Sequence, residues 1–214
     1  MKYWERIKSF FHFILYDDSV EALIGFLIVS LVVLRYILFP FLGLIAGTDL
    51  PIVVVISNSM KHSDTWAEEP AQCTFGPCTQ QEYYKEKGMW SSFDAYIFSS
   101  GFRKGDIILA HGHGSYDIGD VVIFQNEIPV IHRVVEKSNG DTFVTKGDNN
   151  PQPIESIGED SISQKRIIGE AYGRIPLLGY VKLAPVDLLR CTILSSQYSD
   201  AEISRICNPY KFWN

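Results

Sequence analysis

One long apolar run dominates the N-terminal quarter of this chain. Residues 22–46 read ALIGFLIVSLVVLRYILFPFLGLIA, in which Arg35 is the only charged residue. A helix of about 20 apolar residues crosses the hydrocarbon core of a bilayer. A buried helix of a soluble domain is the alternative, but such helices are rarely apolar over this length. The run therefore predicts a transmembrane anchor at residues 20–46, with Arg35 reaching toward one membrane interface.

The residues on either side of the anchor predict its start and its surroundings. The sequence DSVE precedes it and predicts a helix N-terminus in which Asp18 is the cap and Glu21 reaches back. Within residues 1–19, aromatic and aliphatic side chains recur at helical spacing. These residues are Trp4, Ile7, Phe11 and Ile14. The spacing predicts an amphipathic helix that lies in the membrane interface.

Positive charges predict the orientation of the anchor. Lys2, Arg6 and Lys8 precede it, whereas Lys61 is the first basic residue after it. Flanks rich in lysine and arginine stay on the cytoplasmic side. The N-terminus is therefore expected in the cytoplasm, and everything after residue 46 outside it.

The remaining residues predict a mainly β domain at 47–190, followed by a tail at 191–214. Short runs of β-branched residues alternate with turn residues, and SNGD at 138–141 has hairpin chemistry. The runs are VVVI, DIILAHG, DVVIFQ, IPVIHRVVEK, TFVTKGD and RIIGEAYGRI. Their length and spacing predict a sheet or a partial barrel. Residues 61–103 are aromatic and polar, and they form an irregular insertion after the first strand.

Charge and composition exclude several classes of function. The formal net charge is −6 and no cluster of basic residues occurs, which argues against a nucleic-acid partner. No glycine-rich nucleotide-binding pattern is present, so no nucleotide cofactor is expected. His111 and His113 lack further histidines or cysteines at ligand spacing, so no metal site is expected either.

Four polar residues in or next to apolar strands are of types that can catalyse hydrolysis. Ser57 and Ser59 end the run VVVI, His132 lies within VIHRV, and Asp148 lies in the turn KGDNN. A serine, a histidine and an acid can form a nucleophile, a base and a group that orients the base. A polar turn, a core histidine and an Asx turn explain the same residues without catalysis. Residue types and spacing therefore allow a serine hydrolase without establishing one.

A linked set of motifs resembles the type I signal peptidases, in the branch of the archaea and the endoplasmic reticulum. The set is SNSM, KGDII, GDVVIF, IPVIHRV and TKGDNN, in this order after an N-terminal span. The resemblance covers residues 49–181. It implies that Ser59 is the nucleophile, that His132 is the general base, and that the hydroxyl of Ser57 contributes to the oxyanion hole.

The chain departs from that family where the third catalytic group is expected. Family members usually carry a second aspartate several residues after GDNN, where this sequence has Ile154 and Glu155. Asp148 is therefore the first choice for the acid, followed by Glu155 and then Asp160. Two other functions stay open. One is a Ser/Lys peptidase with Lys146 as base, although Asp148 should raise the pKa of that lysine. The other is a membrane-anchored β module that binds a partner without catalysis.

The resemblance also implies a substrate and a location. Substrates would be secreted preproteins, cut after small residues at positions −1 and −3 by a domain held near the lipid bilayer by the short connection from Ala46 to Ser59. No cofactor is implied, and a need for accessory subunits stays open. The protein is expected in the cell membrane, single-pass and with an extracytoplasmic catalytic domain, or in the endoplasmic-reticulum membrane of a eukaryote.

Four cysteines follow the anchor, on the side that should be oxidising. Short loops are the easiest to close, so proximity favours Cys73–Cys78 within the insertion and Cys191–Cys207 in the tail.

Overall fold

A computed structural model describes residues 2–112, 114–138 and 141–185, and the chain divides into two compact units after Asp49. The predicted tail at 191–214, with Cys191 and Cys207, lies outside the described residues, as does His113.

The first unit is helical. Its elements are α1 (Lys2–Tyr16), α2 (Val20–Val33), a π-helical segment (Leu34–Leu38) and α3 (Phe39–Ala46). Helix α1 packs against α2, where Ile14 is buried and lies against Gly25. The predicted cap is wrong by one residue. Ser19 has an extended backbone, and its side chain accepts the N–H of Ala22. Whether α1 lies in a membrane interface stays a prediction.

The helix over Val20–Ala46 is 27 residues long and, by length and composition, is able to cross a membrane. It widens into the π-helical segment, which ends two residues before Pro40. Proline has no N–H to donate, and its ring would collide with the carbonyl of the residue four positions earlier. A wider turn before the proline relieves both problems without ending the helix. The helix ends at Gly47, whose φ of 65° is left-handed.

The second unit is mainly β, as predicted. Its strands are β1 (Ile52–Val54), β2 (Pro70–Cys73), β3 (Gly76–Thr79), β4 (Ile107–His111), β5 (Val121–Phe124), β6 (Val130–Ser138), β7 (Thr142–Lys146), β8 (Ile162–Ser163) and β9 (Ile167–Ile175). Seven of them form one curled antiparallel sheet, a half-barrel, in the order β1-β4-β9-β5-β6-β7-β8. The sequence predicted every strand of this sheet except the two-residue β8.

Side chains alternate between the two faces of β6 and β7, and this alternation places His132 on one face and Arg133 on the other. His132 and Val134 point to one face, and Thr145 lies opposite Val134 on β7. Arg133 points to the other face, opposite Lys146. Both basic side chains are fully buried, so each needs partners inside the protein.

The insertion at 61–103 is ordered rather than irregular. Strands β2 and β3 form a hairpin, and helix α4 (Gln80–Glu86) follows it directly. The predicted Cys73–Cys78 disulfide closes the hairpin. Thr79 and Glu82 form a capping box at the start of α4, with a T-x-x-E spacing that is visible in the sequence. An aromatic cluster packs the insertion against the Arg133 face of the sheet, at Val135 and Val144. Its large members are Trp66, Tyr83, Tyr84, Met89, Trp90, Phe93 and Tyr96.

Candidate active site

The predicted nucleophile lies on the segment that follows β1. Ser59 Oγ is 2.9 Å from Nε2 of His132 and 3.1 Å from Oγ of Ser57. The next residue, Met60, is fully buried, and its carbonyl accepts the N–H of Phe102, which fixes the course of the segment. The structure thus brings three of the four predicted site residues together.

The second ring nitrogen of His132 is occupied by a carboxylate. Nδ1 of this buried histidine is hydrogen-bonded to Oε1 of Glu159. Glu159 is itself fully buried, and it accepts hydrogen bonds from Oγ1 of Thr145 at 3.0 Å and from the N–H of Ile154 at 2.7 Å. Ser59, His132 and Glu159 therefore form a continuous hydrogen-bonded chain.

A short turn brings Glu159 to this position. A 3₁₀ turn at Glu155–Ile157 ends at Gly158, whose left-handed φ of 74° reverses the chain. The N–H of Thr145 then bonds the carbonyl of Glu159. Glu159 was not predicted from the sequence. The available signal was that a second acid is expected after GDNN. In this chain that acid comes later than expected, after the turn that ends at Gly158.

Asp148, the first choice for the acid, does not contact His132. Its carboxylate is fully buried and receives Nε and Nη2 of Arg133, at 2.9 and 2.8 Å. The hydroxyl of Tyr84 lies 2.8 Å from Oδ1, and His62 Nε2 lies 3.0 Å from Oδ2. Burial alone would raise the pKa of Asp148, but the charge of Arg133 and the bonds from His62 and Arg133 hold it well below its usual range.

Lys146, the alternative base, points away from the nucleophile. Its ammonium donates to Oε1 of Gln80 at 2.8 Å and to the carbonyls of Gly147 and Asp148. Burial lowers the pKa of Lys146 to about 7, despite the opposing charges of Asp148 and Glu159. The charge of Asp148 does raise the pKa of Lys146, as expected, but desolvation outweighs that charge, so the net shift is downward and not upward. A lysine with this pKa could accept a proton at neutral pH, but Lys146 is fully buried and its ammonium is bonded to other partners than Ser59.

The remaining candidates lie apart from the histidine. Glu155 and Asp160 are exposed, and neither is hydrogen-bonded to His132. In the described residues, no three histidine, cysteine, aspartate or glutamate side chains converge to hold a metal ion.

A cleft of about 390 Å³ opens beside the serine and the histidine. Its walls are mainly apolar, and it also includes Asn150. The lining residues come from three segments, namely Val53–Ser57, Asn126–Ile131 and the turn with Ile154 and Ile157. Strand β1 ends the sheet and pairs only with β4 in the described structure. Its free edge can therefore accept an extended chain as an added strand.

No model of a known protein family matches the chain. Comparison with curated proteins does find relatives. The chain is 30% identical over 154 residues to the signal peptidase complex catalytic subunit SEC11 of Fusarium vanettenii, which covers 66% of this chain and 67% of the relative. It is 30% identical over 155 residues to the subunit SEC11C of Homo sapiens, covering 67% of this chain and 61% of the relative. The chain belongs to the type I signal peptidase family.

A third signal peptidase relative matches a shorter stretch. The subunit SEC11 of Ogataea parapolymorpha is 31% identical over 103 residues, which is 38% of this chain and 58% of that protein. The matched stretches thus span between 58% and 67% of these relatives. In this member of the signal peptidase family, the carboxylate at the histidine is the buried Glu159, whereas the first choice from the sequence was Asp148 of GDNN.

Proposed function

We propose that this protein is a membrane-anchored serine endopeptidase that removes signal peptides from secreted preproteins. The observation that carries the proposal is the chain of contacts from Ser59 through His132 to Glu159 in a member of the signal peptidase family. The relatives' names support the substrate class, and the helix at Val20–Ala46 supports the anchor.

The contacts support a two-step acyl transfer. Ser59 Oγ attacks the scissile carbonyl, and Nε2 of His132 takes its proton. His132 then gives this proton to the amide nitrogen of the scissile bond. The bond breaks, and the mature protein leaves with the new amino terminus. Water next attacks the acyl-enzyme and gives a proton to His132. The bond between the acyl carbon and Ser59 Oγ then breaks, His132 returns the proton to Oγ, and the signal peptide leaves as a free carboxylate. Glu159 accepts the Nδ1–H of His132 throughout, which fixes the tautomer and stabilises the imidazolium.

The second hydroxyl is suited to stabilise the oxyanion. Ser57 Oγ lies close to Ser59 Oγ, so a tetrahedral oxyanion formed at Ser59 falls within its reach. The backbone N–H of Ser59 is the second donor that the family resemblance implies. The apolar cleft beside these groups is suited to an extended peptide, bound along the free edge of β1.

The topology of the anchor completes the proposal. We propose that the unit from Leu50 onward faces away from the cytoplasm, in the cell membrane or in the endoplasmic-reticulum membrane. The relatives are named as subunits of a complex, which supports a proposal that accessory subunits act with this chain.

A cleavage assay tests the proposal. The full chain, purified in detergent, is incubated with a preprotein, and the new N-terminus is sequenced. We expect cleavage by the wild type and none by Ser59→Ala, because Ser59 carries the hydroxyl that is hydrogen-bonded to His132. Ser57→Ala should keep activity reduced by about 10²–10³, as for the loss of one oxyanion donor.

Two results would contradict these roles. Equal cleavage by wild type and Ser59→Ala would mean that the serine is not the nucleophile. A wild type that neither cleaves nor reacts with a fluorophosphonate at Ser59 would favour the non-catalytic binding module.

A further inference from the structure

We propose that the insertion at 61–103 positions the catalytic centre by holding the turn at 146–151, and that Trp66, Gln80 and Tyr84 are its positioning residues. The inference rests on the proposed function, since it concerns the reactivity of Ser59. It gives a function to a segment that lies outside the catalytic residues themselves.

The turn at 146–151 touches the nucleophile directly. The N–H of Asn149 donates to the carbonyl of Ser59 at 2.7 Å. A Cβ on Gly147 would lie 2.8 Å from Nε2 of His132 and 2.9 Å from the carbonyl of Ser59, closer than real side chains come. The turn therefore packs against both reacting residues, and a shift of the turn would shift the serine relative to the histidine.

The backbone of the turn is held mainly by the insertion. Indole Nε1 of Trp66 donates to the carbonyl of Asp148 at 3.0 Å. Side-chain Nε2 of Gln80 donates to the carbonyl of Asn150 at 2.9 Å. The backbone N–H of Gln72, on β2, donates to the carbonyl of Pro151 at 2.9 Å. Three carbonyls of the turn, those of Asp148, Asn150 and Pro151, thus have partners in the insertion.

Gln80 is the central residue of this contact. It is fully buried at the first position of α4, and its side chain is bonded at both ends. Oε1 accepts from Lys146, while Nε2 donates to Asn150 and also to the carbonyl of Pro70 at 3.1 Å. The capping box fixes where α4 begins, and therefore where this amide lies.

The insertion also bonds the side chains of Asp148 and Arg133. The hydroxyl of Tyr84 and the ring of His62 both bond the carboxylate of Asp148. The guanidinium of Arg133, bound to the same carboxylate, donates to the carbonyls of Ile97 and Phe98 at 2.9 Å each. The insertion therefore surrounds Asp148 and Arg133 on the face opposite His132.

Small displacements of a turn in this position matter for catalysis. Displacing reacting groups by about 1 Å can lower a rate by about 10²-fold. Loss of one hydrogen bond between the insertion and the turn should therefore lower the rate at Ser59 while leaving the cleft intact. None of Trp66, Gln80 and Tyr84 lines the cleft, so binding of the peptide should change little.

Two matched pairs of variants test the inference. Tyr83 and Tyr84 are neighbouring buried residues of α4, and of the two only the hydroxyl of Tyr84 is bonded to Asp148. Trp66 and Trp90 belong to the same aromatic cluster, and of the two only the indole of Trp66 is bonded to the turn. Tyr84→Phe is compared with Tyr83→Phe, and Trp66→Phe with Trp90→Phe. Gln80→Met removes both ends of the central amide.

Each variant is prepared as the full chain in detergent, and three quantities are measured: preprotein cleavage, the rate of fluorophosphonate labelling at Ser59, and the melting temperature. We expect Tyr84→Phe, Trp66→Phe and Gln80→Met to lower kcat and the labelling rate about tenfold or more, with KM within about twofold of the wild type. Tyr83→Phe and Trp90→Phe should keep both rates.

The inference is overturned if both members of each pair lose activity equally, in step with the melting temperature, because the insertion would then act on stability alone. It is also overturned if the three contacting variants keep full rates. A wild type that is labelled at Ser59 but cleaves no preprotein would contradict the proposed substrate and leave the labelling comparison valid.

Discussion

Single residues decide which buried carboxylate pairs with His132 and which pairs with Arg133. His132 and Arg133 are neighbours on β6, so they point to opposite faces of the sheet. The buried guanidinium of Arg133 requires a carboxylate on its own face, and Asp148 supplies it. The carboxylate that is hydrogen-bonded to His132 lies on the other face, where Glu159 also accepts the hydroxyl of Thr145. The sequence pattern that predicts Asp148 as the acid contains no sign that the adjacent Arg133 is buried and needs this carboxylate.

Substitution of the two acids tests this division. Glu159→Gln should lower kcat by about 10⁴, because an amide cannot stabilise the imidazolium and favours the wrong tautomer. Asp148→Asn should lower the melting temperature more than Glu159→Gln, because it leaves Arg133 charged and unpaired in the interior. The measurements are single-turnover cleavage and thermal unfolding of both variants. A Glu159→Gln enzyme with wild-type kcat would remove the glutamate from the proposed mechanism.

At the scale of elements, the strands followed from sequence periodicity and turn chemistry, and the insertion did not. The runs at 107–111 and 121–124 each follow Gly-Asp, and the run at 130–138 leads into the turn SNGD. These signals, with the β-branched residues, are enough to predict β4, β5 and β6. The insertion holds strands of four residues and a helix of seven, too short for a clear period. Its packing depends on contacts with Val135 and Val144 that only the folded sheet supplies.

The disulfide of the hairpin gives a prediction about this element. Cys73→Ala with Cys78→Ala should destabilise the hairpin by about 2 kcal/mol, the loop-entropy value for so short a loop. The initial cleavage rate should change little, because Trp66 and Gln80 bond the turn at 146–151 from positions outside the hairpin. Thermal unfolding and initial rates, with and without a reductant, measure both effects. A large fall in the initial cleavage rate without a fall in the melting temperature would assign the bridge a catalytic role.

At the scale of the whole molecule, two buried charges set how stability depends on pH. The pKa of Asp148 is far below its usual value, so the folded state releases this proton more easily than the unfolded state. The resulting stability is present above about pH 4 and is lost as the pH falls through the pKa of the folded state. The pKa of Lys146 is lowered to about 7, so between about pH 7 and 10 the unfolded state binds more protons. Stability should therefore rise with pH over that interval.

Melting temperatures across pH separate these contributions. The decline below about pH 4 should be shallower in Asp148→Asn than in the wild type. The rise between about pH 7 and 10 should be flatter in Lys146→Met. Unchanged profiles in both variants would mean that other groups control the dependence on pH.

The last prediction concerns the membrane. The helix at Val20–Ala46 has Lys8 as the last basic residue before it and Lys61 as the first after it. Basic flanks stay in the cytoplasm, because translocating them is unfavourable. A protease added to the cytoplasmic side of sealed vesicles should therefore leave the unit from Leu50 intact, and detergent should expose it. Loss of that unit in sealed vesicles would reverse the orientation and remove the oxidising surroundings expected for Cys73 and Cys78. Neutral replacements of Lys2, Arg6 and Lys8 should weaken the protection, whereas the same change at the exposed Lys165 should not.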